Sequence, residues 1–176
     1  IHARSRAPAW SALWAARREE VADRFDRTLP FGDYVVDRWE KARALGFGEG
    51  ASIFDSAVVV CGVSVGEQTW VGPGVVLDGS GGLSIGASCS ISAGVQIYSH
   101  DSVAWATSGG QAAVERAATR IGDRCYIGPN SVVRKGVTIG DGCVIGAGSV
   151  VLSDLPPGSK AAGAPAPVIG PVDGTP

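Results

Sequence analysis

The sequence is poor in residues that bind metals. It has two histidines, His2 and His100, and its four cysteines form no C-x-x-C pair. Structural zinc sites need several Cys or His ligands at close spacing. We therefore expect no metal.

Long apolar runs and a strong charge imbalance are also missing. No run approaches the roughly 18 apolar residues of a membrane-spanning helix, and the N-terminal residues lack the apolar core of a secretory signal. The net charge of −2 gives no general attraction to nucleic acid. We expect no transmembrane segment, no nucleic-acid partner and a cytoplasmic location.

Glycine, in contrast, is abundant, and it recurs inside a repeat. Residues 121–155 divide into six-residue units that open with Ile or Val and usually continue with Gly, while the fifth residue is small or aliphatic. The units begin at Ile121, Ile127, Val133, Ile139, Ile145 and Val151. A fixed period of six residues predicts a β-helix.

The same register extends back to Ile53, with a two-residue insertion in the turn at 78–82 and an interruption at 101–120. Three units per coil give a three-faced prism whose sides are parallel sheets, with strands about 4.8 Å apart. The predicted stacks are Ile53, Val71, Ile91, Ile127 and Ile145; Val59, Leu77, Ile97, Val133 and Val151; and Val65, Ile85, Ile121 and Ile139.

Three cysteines fit this register. Cys89, Cys125 and Cys143 occupy the fifth position on the third face, below Thr69, where an inward-pointing residue must be small. Buried free cysteine behaves as a small apolar side chain, so we predict a core role rather than redox chemistry. Cys61 lies outside this series.

The regions flanking the repeat are of different composition. Within residues 1–50 we predict a disordered leader at 1–8, an amphipathic helix at 10–29 and a second helix from Asp33, its N-cap, to Leu45. These helices would cap the open end of the β-helix; alternatives are a membrane surface, subunit packing or acceptor binding. The β-helix domain spans 51–156. The Pro- and Ala-rich tail, 157–176, is predicted to pack along the prism without continuing it, with frayed residues from 170 onward.

Over residues 51–169 the pattern resembles the left-handed β-helix acyltransferases, the hexapeptide-repeat or isoleucine-patch family. The segments 145–151, 154–159 and 162–166 are similar to the C-terminal signature of galactoside- and maltose-type O-acetyltransferases. The segments 37–48, 78–82 and 98–101 resemble a glycan-modifying subgroup. The left-handed sense of the β-helix is implied by this resemblance.

The resemblance implies that His100, just before the interruption, is the general base that removes a proton from an acceptor hydroxyl or amine. Imidazole titrates near neutrality and suits this task; the alternative is a histidine that only completes a surface turn. The acceptor would be bound by Asp78, Asp101 and Trp105. Asp101 or Glu115 could instead orient the imidazole, Asp78 could simply form its turn, and Trp105 could anchor the loop.

The resemblance also implies acetyl-CoA as the acyl donor, threaded between two prisms of a homotrimer. The matching positions for the pantetheine arm are Pro129 and Ala147, stacked one coil apart, followed by Leu152 and Ser153. Lys160 is the predicted phosphate contact, with Arg134 or Lys135 as substitutes, because the tail positions that are often basic in the family are Pro167 and Gly170 here. The acceptor-binding asparagine of the galactoside-type enzymes has no match at 70–73.

We therefore predict an acetyl-CoA-dependent O-acetyltransferase that acts on a sugar or glycoside hydroxyl. The alternatives are an N-acetyltransferase acting on an amino sugar, possibly nucleotide-linked, and a catalytically silent β-helix used for binding or assembly. A carbonic anhydrase of the same fold would need three histidine ligands. A nucleotidyltransferase would need an N-terminal α/β domain, which residues 1–50 are too few to form.

Overall fold

A computed structural model describes residues 9–172. The predicted leader at 1–8 and the last four residues of the predicted frayed end lie outside the described residues. The described chain begins with three helices, α1 (Ala9–Phe25), α2 (Phe31–Val35) and α3 (Arg38–Ala44), and a fourth helix, α4 (Val103–Thr107), lies within the interruption. Within residues 9–172, no helix is long and apolar enough to cross a membrane.

The second predicted helix is wrong in detail, because the chain forms two short helices separated by an extended residue, Val36. Asp33 is not an N-cap. That role belongs to Asp37, whose Oδ1 accepts hydrogen bonds from the backbone N–H groups of Trp39 (3.0 Å) and Glu40 (2.8 Å). The two aspartates lie four residues apart, and the sequence pattern did not distinguish them.

The cap on the β-helix is formed by α3, which packs on the first strand and buries Ala42. Lys41 Nζ donates hydrogen bonds to three carbonyls of the first coil, at residues 54, 55 and 57, over 2.9–3.2 Å. Asp33 Oδ1 accepts from the backbone N–H of Asp55 at 2.5 Å. These two side chains satisfy backbone groups that have no preceding coil to pair with. Helix α1 packs on α2 and buries none of its residues.

Within residues 9–172, eighteen short strands follow α3. They are β1 (Ser52–Ile53), β2 (Val58–Val60), β3 (Val63–Val65), β4 (Trp70–Val71), β5 (Val76–Asp78), β6 (Leu83–Ile85), β7 (Ser90–Ile91), β8 (Gln96–Ile97), β9 (His100–Asp101), β10 (Glu115–Arg116), β11 (Thr119–Ile121), β12 (Tyr126–Ile127), β13 (Val132–Val133), β14 (Thr138–Ile139), β15 (Val144–Ile145), β16 (Val150–Val151), β17 (Ser159–Ala161) and β18 (Val168–Pro171).

Three parallel sheets form the faces of the prism. Face 1 has the order β1-β4-β7-β12-β15-β17, face 2 the order β2-β5-β8-β13-β16, and face 3 the order β3-β6-β11-β14. The pairing places Ile127 beside Ile145, Val133 beside Val151 and Ile121 beside Ile139, as the repeat predicts. The predicted three-faced parallel β-helix is therefore confirmed, and it fits the left-handed form.

The core is a narrow column of the residues that open each unit. Ile91, Ile97, Ile127 and Ile145 are fully buried, and burying a side chain of this size contributes about 1.5–3 kcal/mol. The core role of the cysteines is also confirmed, because Cys89, Cys125 and Cys143 are buried free thiols, whereas Cys61 is exposed. In the coil before Cys89, the buried Thr69 fills the same position with a polar side chain. Its Oγ1 accepts a hydrogen bond from the backbone N–H of Cys89 at 3.0 Å.

The tail departs from its prediction. Strand β17 pairs in parallel with β15 and extends face 1, so the ladder continues past residue 156. The prolines at 156, 157, 165 and 167 flank β17 but do not interrupt it, and each of its residues keeps a backbone N–H for pairing. Strand β18 then turns back antiparallel onto β17, including Gly170, which was predicted to fray.

Candidate active site

The interruption in the repeat leaves the prism at the edge between faces 2 and 3, which we call the His100 corner. At this corner lie the turn 78–82, the loop 99–118 and the turn 134–136 of three successive coils. Strand β5 pairs with β8 so that Leu77 lies beside Ile97. This register brings the turn after Leu77 next to the residues that follow Ile97.

The His100 imidazole is bonded to a buried carboxylate across these two coils. Asp78 Oδ2 lies 2.6 Å from His100 Nδ1, and the Asp78 side chain is 2% exposed. The same oxygen accepts from the backbone N–H groups of Ser99 (2.9 Å) and His100 (3.1 Å). Ser80 Oγ lies 2.8 Å from Nδ1 and also donates to Asp78 Oδ1. The carboxylate is thereby fixed from several sides.

These contacts keep Asp78 ionised. Burial favours the neutral acid and raises the pKa of Asp78, but hydrogen bonds from the Ser80 hydroxyl, the Ser99 amide and His100 favour the anion. The net result is a pKa of Asp78 well below its ordinary value. At neutral pH the group is a carboxylate, which can only accept hydrogen bonds.

An ionised Asp78 selects one tautomer of His100. Nδ1 must carry the proton that Asp78 accepts, so Nε2 of the neutral ring has a free lone pair. Within residues 9–172, Nε2 has no hydrogen-bond partner, and the side chain is 37% exposed. This imidazole can take a proton from a ligand at Nε2 while Asp78 stabilises the resulting positive charge.

The contacts of the two aspartates differ from those expected from the sequence. Asp78 was expected to contact the acceptor, but it is buried against His100. Asp101 was a candidate for orienting the ring, but adjacent residues of a strand point to opposite sides. The register 77 to 97 already indicated that the turn at 78–82 lies beside His100, and this signal was missed.

Asp101 is instead paired with a lysine of the next coil. Strands β9 and β10 form an antiparallel hairpin in which Glu115 opposes Asp101 and Arg116 opposes His100. Lys135 Nζ lies 3.0 Å from Asp101 Oδ2 and also contacts Glu115 Oε2. The pKa of Lys135 is raised by the hydrogen bonds to Glu115 and Asp101, and that of Asp101 is lowered, first by the Lys135 hydrogen bond. Neither carboxylate is bonded to His100.

The outer part of the loop carries α4 and Trp105. The Trp105 ring is half-exposed and lies close to Gly110, whose backbone N–H donates to the Trp105 carbonyl at 2.8 Å. The side chain is accessible to a ligand, as its predicted acceptor role requires. A tryptophan that only anchors the loop would make the same contacts.

A shallow, open groove of about 480 Å³ lies on face 3 beside the His100 corner. Its floor is made by small residues stacked at one position of three coils, Gly62, Gly82 and Ala118. It is also lined by the residues two positions further along each coil, Ser64, Ser84 and Arg120. This groove was not predicted from the sequence, although the stacking of small residues follows from the register.

The predicted CoA-binding positions fall at two separate edges of the prism. Pro129 and Ala147 lie at the edge between faces 1 and 2, stacked one coil apart as expected, with the Gly148 N–H donating to the Pro129 carbonyl at 2.8 Å. Leu152 and Ser153 are exposed at the edge between faces 2 and 3. Within one chain, face 2 therefore separates Pro129 and Ala147 from His100.

Lys160 lies on β17, at the end of face 1. Within the described residues 9–172, no group of three His, Cys, Asp or Glu residues is placed to hold a metal ion.

Comparison with known proteins agrees with this architecture. Residues 118–153 match the family model described as bacterial transferase hexapeptide (six repeats). No curated protein sequence matches the chain significantly.

Several solved structures are similar to the chain. A hexapeptide-repeat-containing acetyltransferase from Vibrio cholerae, crystallised with acetyl coenzyme A, is 26% identical; the match covers 95% of this chain and 91% of that chain, with a TM-score of 0.69. A maltose O-acetyltransferase from Clostridium difficile is also 26% identical, with coverage of 95% and 90% and a TM-score of 0.67.

The N-acyltransferase AntD from Bacillus cereus is 19% identical, with coverage of 77% and 90% and a TM-score of 0.62, which indicates a shared fold. The hexapeptide repeat, the three-faced parallel β-helix and these neighbours together show that the chain is similar to the hexapeptide-repeat acyltransferases and fits their left-handed β-helix fold.

Proposed function

We propose that the chain is an acetyl-CoA-dependent O-acetyltransferase that acts on a hydroxyl of a sugar or glycoside, with His100 as the general base. The observation that carries the proposal is the pairing of His100 Nδ1 with the buried Asp78 carboxylate at 2.6 Å, which leaves Nε2 able to accept a proton. The similarity to two acetyltransferases at 26% identity supports the same class of reaction.

In the proposed mechanism, His100 Nε2 takes the proton of the acceptor hydroxyl, which is barely ionised at neutral pH. The hydroxyl oxygen attacks the thioester carbonyl of acetyl-CoA, so a C–O bond forms and the carbonyl electrons move to oxygen. When the carbonyl reforms, the C–S bond breaks, and the imidazolium returns its proton to the departing CoA sulfur. Asp78 lowers the energy of the imidazolium without itself becoming protonated.

For the acyl donor we propose an arrangement between two chains. Pro129 and Ala147 of one chain would face Leu152 and Ser153 of its neighbour, because these pairs lie at different edges of the same prism. A cyclic homotrimer brings such edges together. Lys160 is the proposed contact for the CoA phosphates. A molar mass in solution equal to that of one chain under assay conditions would contradict this arrangement.

The acceptor is proposed to bind on the loop side of His100. Trp105 offers an exposed aromatic face, and the shallow groove on face 3 offers the hydroxyls of Ser64 and Ser84 and the guanidinium of Arg120. This set suits a ligand rich in hydroxyl groups. Asp78 and Asp101 are bonded to His100 and Lys135 respectively, so neither is part of the proposed acceptor site.

The O-acetyl assignment is favoured over N-acetylation by the similarity to the maltose O-acetyltransferase, at 26% identity over most of both chains. The assay compares a glycoside such as maltose with an amino sugar such as glucosamine at equal concentration. We expect ester formation on the glycoside. Amide formation on the amino sugar as the dominant product would overturn the assignment.

Replacement of His100 by Ala tests the general base. We expect the rate of acetyl transfer to fall by about 10²–10⁴-fold, while acetyl-CoA still raises the thermal midpoint of the variant, because a ligand that binds the folded state stabilises it. The matched control is Gln111→Ala, an exposed position in the same loop.

Two results would contradict the proposal. Full acetyl transfer by His100→Ala would remove the mechanism. An unmodified chain that acetyl-CoA does not stabilise, and that transfers no acetyl group, would point to a silent β-helix module.

A further inference from the structure

We propose that Lys135 is a positioning residue that holds the hairpin carrying His100 against the prism. The kinetic part of this inference rests on the proposed function, and the structural part does not. Lys135 follows β13 at the His100 corner, one coil beyond β8. Its side chain is 8% exposed although it carries a charge, and its ammonium group contacts carboxylates of both strands of the hairpin.

The hairpin by itself has an unfavourable charge arrangement. Asp101 and Glu115 are directly opposite each other in the antiparallel pair β9–β10. Like charges at opposed positions destabilise a strand pair. Lys135 Nζ lies 3.0 Å from Asp101 Oδ2 and also contacts Glu115 Oε2, so one cation compensates both anions. Lys135 therefore offsets a repulsion that would otherwise weaken the hairpin.

Backbone contacts hold the base of the hairpin but not its strands. The Ala117 N–H donates to the Ser99 carbonyl at 2.9 Å, and the Gly136 N–H donates to the Ala117 carbonyl at 3.2 Å. Among the described residues, Lys135 provides the ion pairs that link the two hairpin strands to the following coil. Since His100 precedes Asp101 in β9, loosening this link leaves Asp78 as a remaining side-chain contact that holds the His100 side of the hairpin.

This geometry also assigns a use to a lysine that was a candidate for the CoA phosphates. The cluster of one ammonium group and two carboxylates has no net positive charge with which to attract a phosphate. Lys135 should accordingly affect the acceptor step, through the position of His100 and of Trp105 in the same loop, and it should leave the KM for acetyl-CoA unchanged.

The first experiment needs no substrate. Hydrogen exchange of the hairpin amides at residues 100–117 is compared in the unmodified chain, Lys135→Met, Lys135→Arg and the double variant Lys135→Met/Glu115→Gln. We expect about tenfold faster exchange in Lys135→Met, since charge-assisted bonds to both strands are lost. Lys135→Arg should retain protection, and the double variant should regain most of it because the repulsion between positions 101 and 115 is gone.

Exchange of the core strand β14 serves as the check on global folding. If Lys135→Met does not fold, Lys135→Gln takes its place in the same comparison. Unchanged hairpin exchange in a folded Lys135→Met variant would overturn the proposal, as would a double variant as unprotected as the single one.

The second experiment is kinetic. In Lys135→Met we expect kcat/KM for the acceptor to fall about tenfold with little change in the KM for acetyl-CoA, and we expect partial rescue in the double variant. A selective rise in the KM for acetyl-CoA that Glu115→Gln does not rescue would instead make Lys135 a phosphate contact. If the unmodified chain transfers no acetyl group, the proposed function fails, and hydrogen exchange alone decides the role of Lys135.

Discussion

Asp78 Oδ2 and His100 Nδ1 are 2.6 Å apart although they belong to successive coils and are 22 residues apart in the sequence. The carboxylate is ionised and accepts the Nδ1 proton, so it sets the tautomer of the ring. An amide at position 78 can donate to Nδ1 and thereby stabilise the opposite tautomer, in which Nε2 is protonated.

We therefore expect Asp78→Asn to lower kcat by about 10²–10⁴-fold with a small change in the KM for acetyl-CoA. Ser80→Ala, which keeps the carboxylate beside the ring, should cost about tenfold or less. Steady-state kinetics on both variants, with circular dichroism to verify folding, test this relationship. An Asp78→Asn variant as fast as the unmodified chain would show that the pair does not orient the base.

The same carboxylate should contribute to stability in acid. The pKa of Asp78 is lower in the folded chain than the value of about 3.9 in an unfolded chain. Its contribution is thus fully present above about pH 4 and is lost as the pH falls further, because the unfolded state then binds more protons. Urea titrations between pH 6 and pH 2 should show a shallower acid decline for Asp78→Asn, and parallel curves would contradict the prediction.

Trp105 is expected to act on acceptor binding alone. Trp105→Ala should raise the KM for the acceptor about three- to tenfold, the loss of a stacking contact, and leave the KM for acetyl-CoA unchanged. Trp105→Phe keeps an aromatic face, so its KM for the acceptor should fall between those of the unmodified chain and Trp105→Ala. Equal changes in both KM values would indicate that the residue anchors the loop.

The four cysteines should differ in reactivity. Cys61 is exposed, whereas Cys89, Cys125 and Cys143 are buried in the prism. A thiol reagent should label one cysteine in the native chain and four after unfolding in urea. Cys143→Ala should lower the free energy of unfolding by about 1 kcal/mol, and Cys61→Ala by less than about 0.5 kcal/mol. Rapid native labelling of more than one thiol would contradict the packed core.

Gly81 permits the close approach of two coils at the His100 corner. A Cβ atom at this position would lie 2.1 Å from the Ser99 carbonyl oxygen, so the backbone must move in Gly81→Ala. We expect a loss of about 1–3 kcal/mol of stability together with reduced activity. Gly62→Ala is the matched control, because a Cβ there meets no atom within 4 Å. Equal thermal midpoints for the two variants would disprove the steric argument.

Much of the fold is predictable from the sequence because a six-residue period fixes the register of all three faces at once. Ile127 beside Ile145 and the buried Cys143 follow directly from counting positions. The break at Val36 was not predictable in this way, since it depends on contacts between Asp33 and the first coil rather than on helix propensity. Strand β17 was missed because the surrounding prolines obscured three residues that each have a backbone N–H for strand pairing.

The candidate site was predictable only in part. His100 is singled out by the interruption of the repeat, which is a property of the sequence alone. Its partner Asp78 belongs to an inserted turn of the preceding coil, where an aspartate also has a local explanation. Lys135 lies in an otherwise regular unit, and its role depends on the charges brought beside it by the hairpin. Such cross-coil relationships have no fixed sequence spacing.

The two ends of face 1 have a consequence for how the molecule behaves at high concentration. A stack of parallel strands presents an unpaired edge at each end, and such an edge can template the addition of another chain. Helix α3 packs against β1 at one end, and β18 covers β17 at the other, with Pro171 in that outermost strand. One covering element is a helix and the other is an antiparallel strand, so neither continues the parallel stack. Growth of this sheet into a fibre by end-to-end addition is therefore blocked at each end.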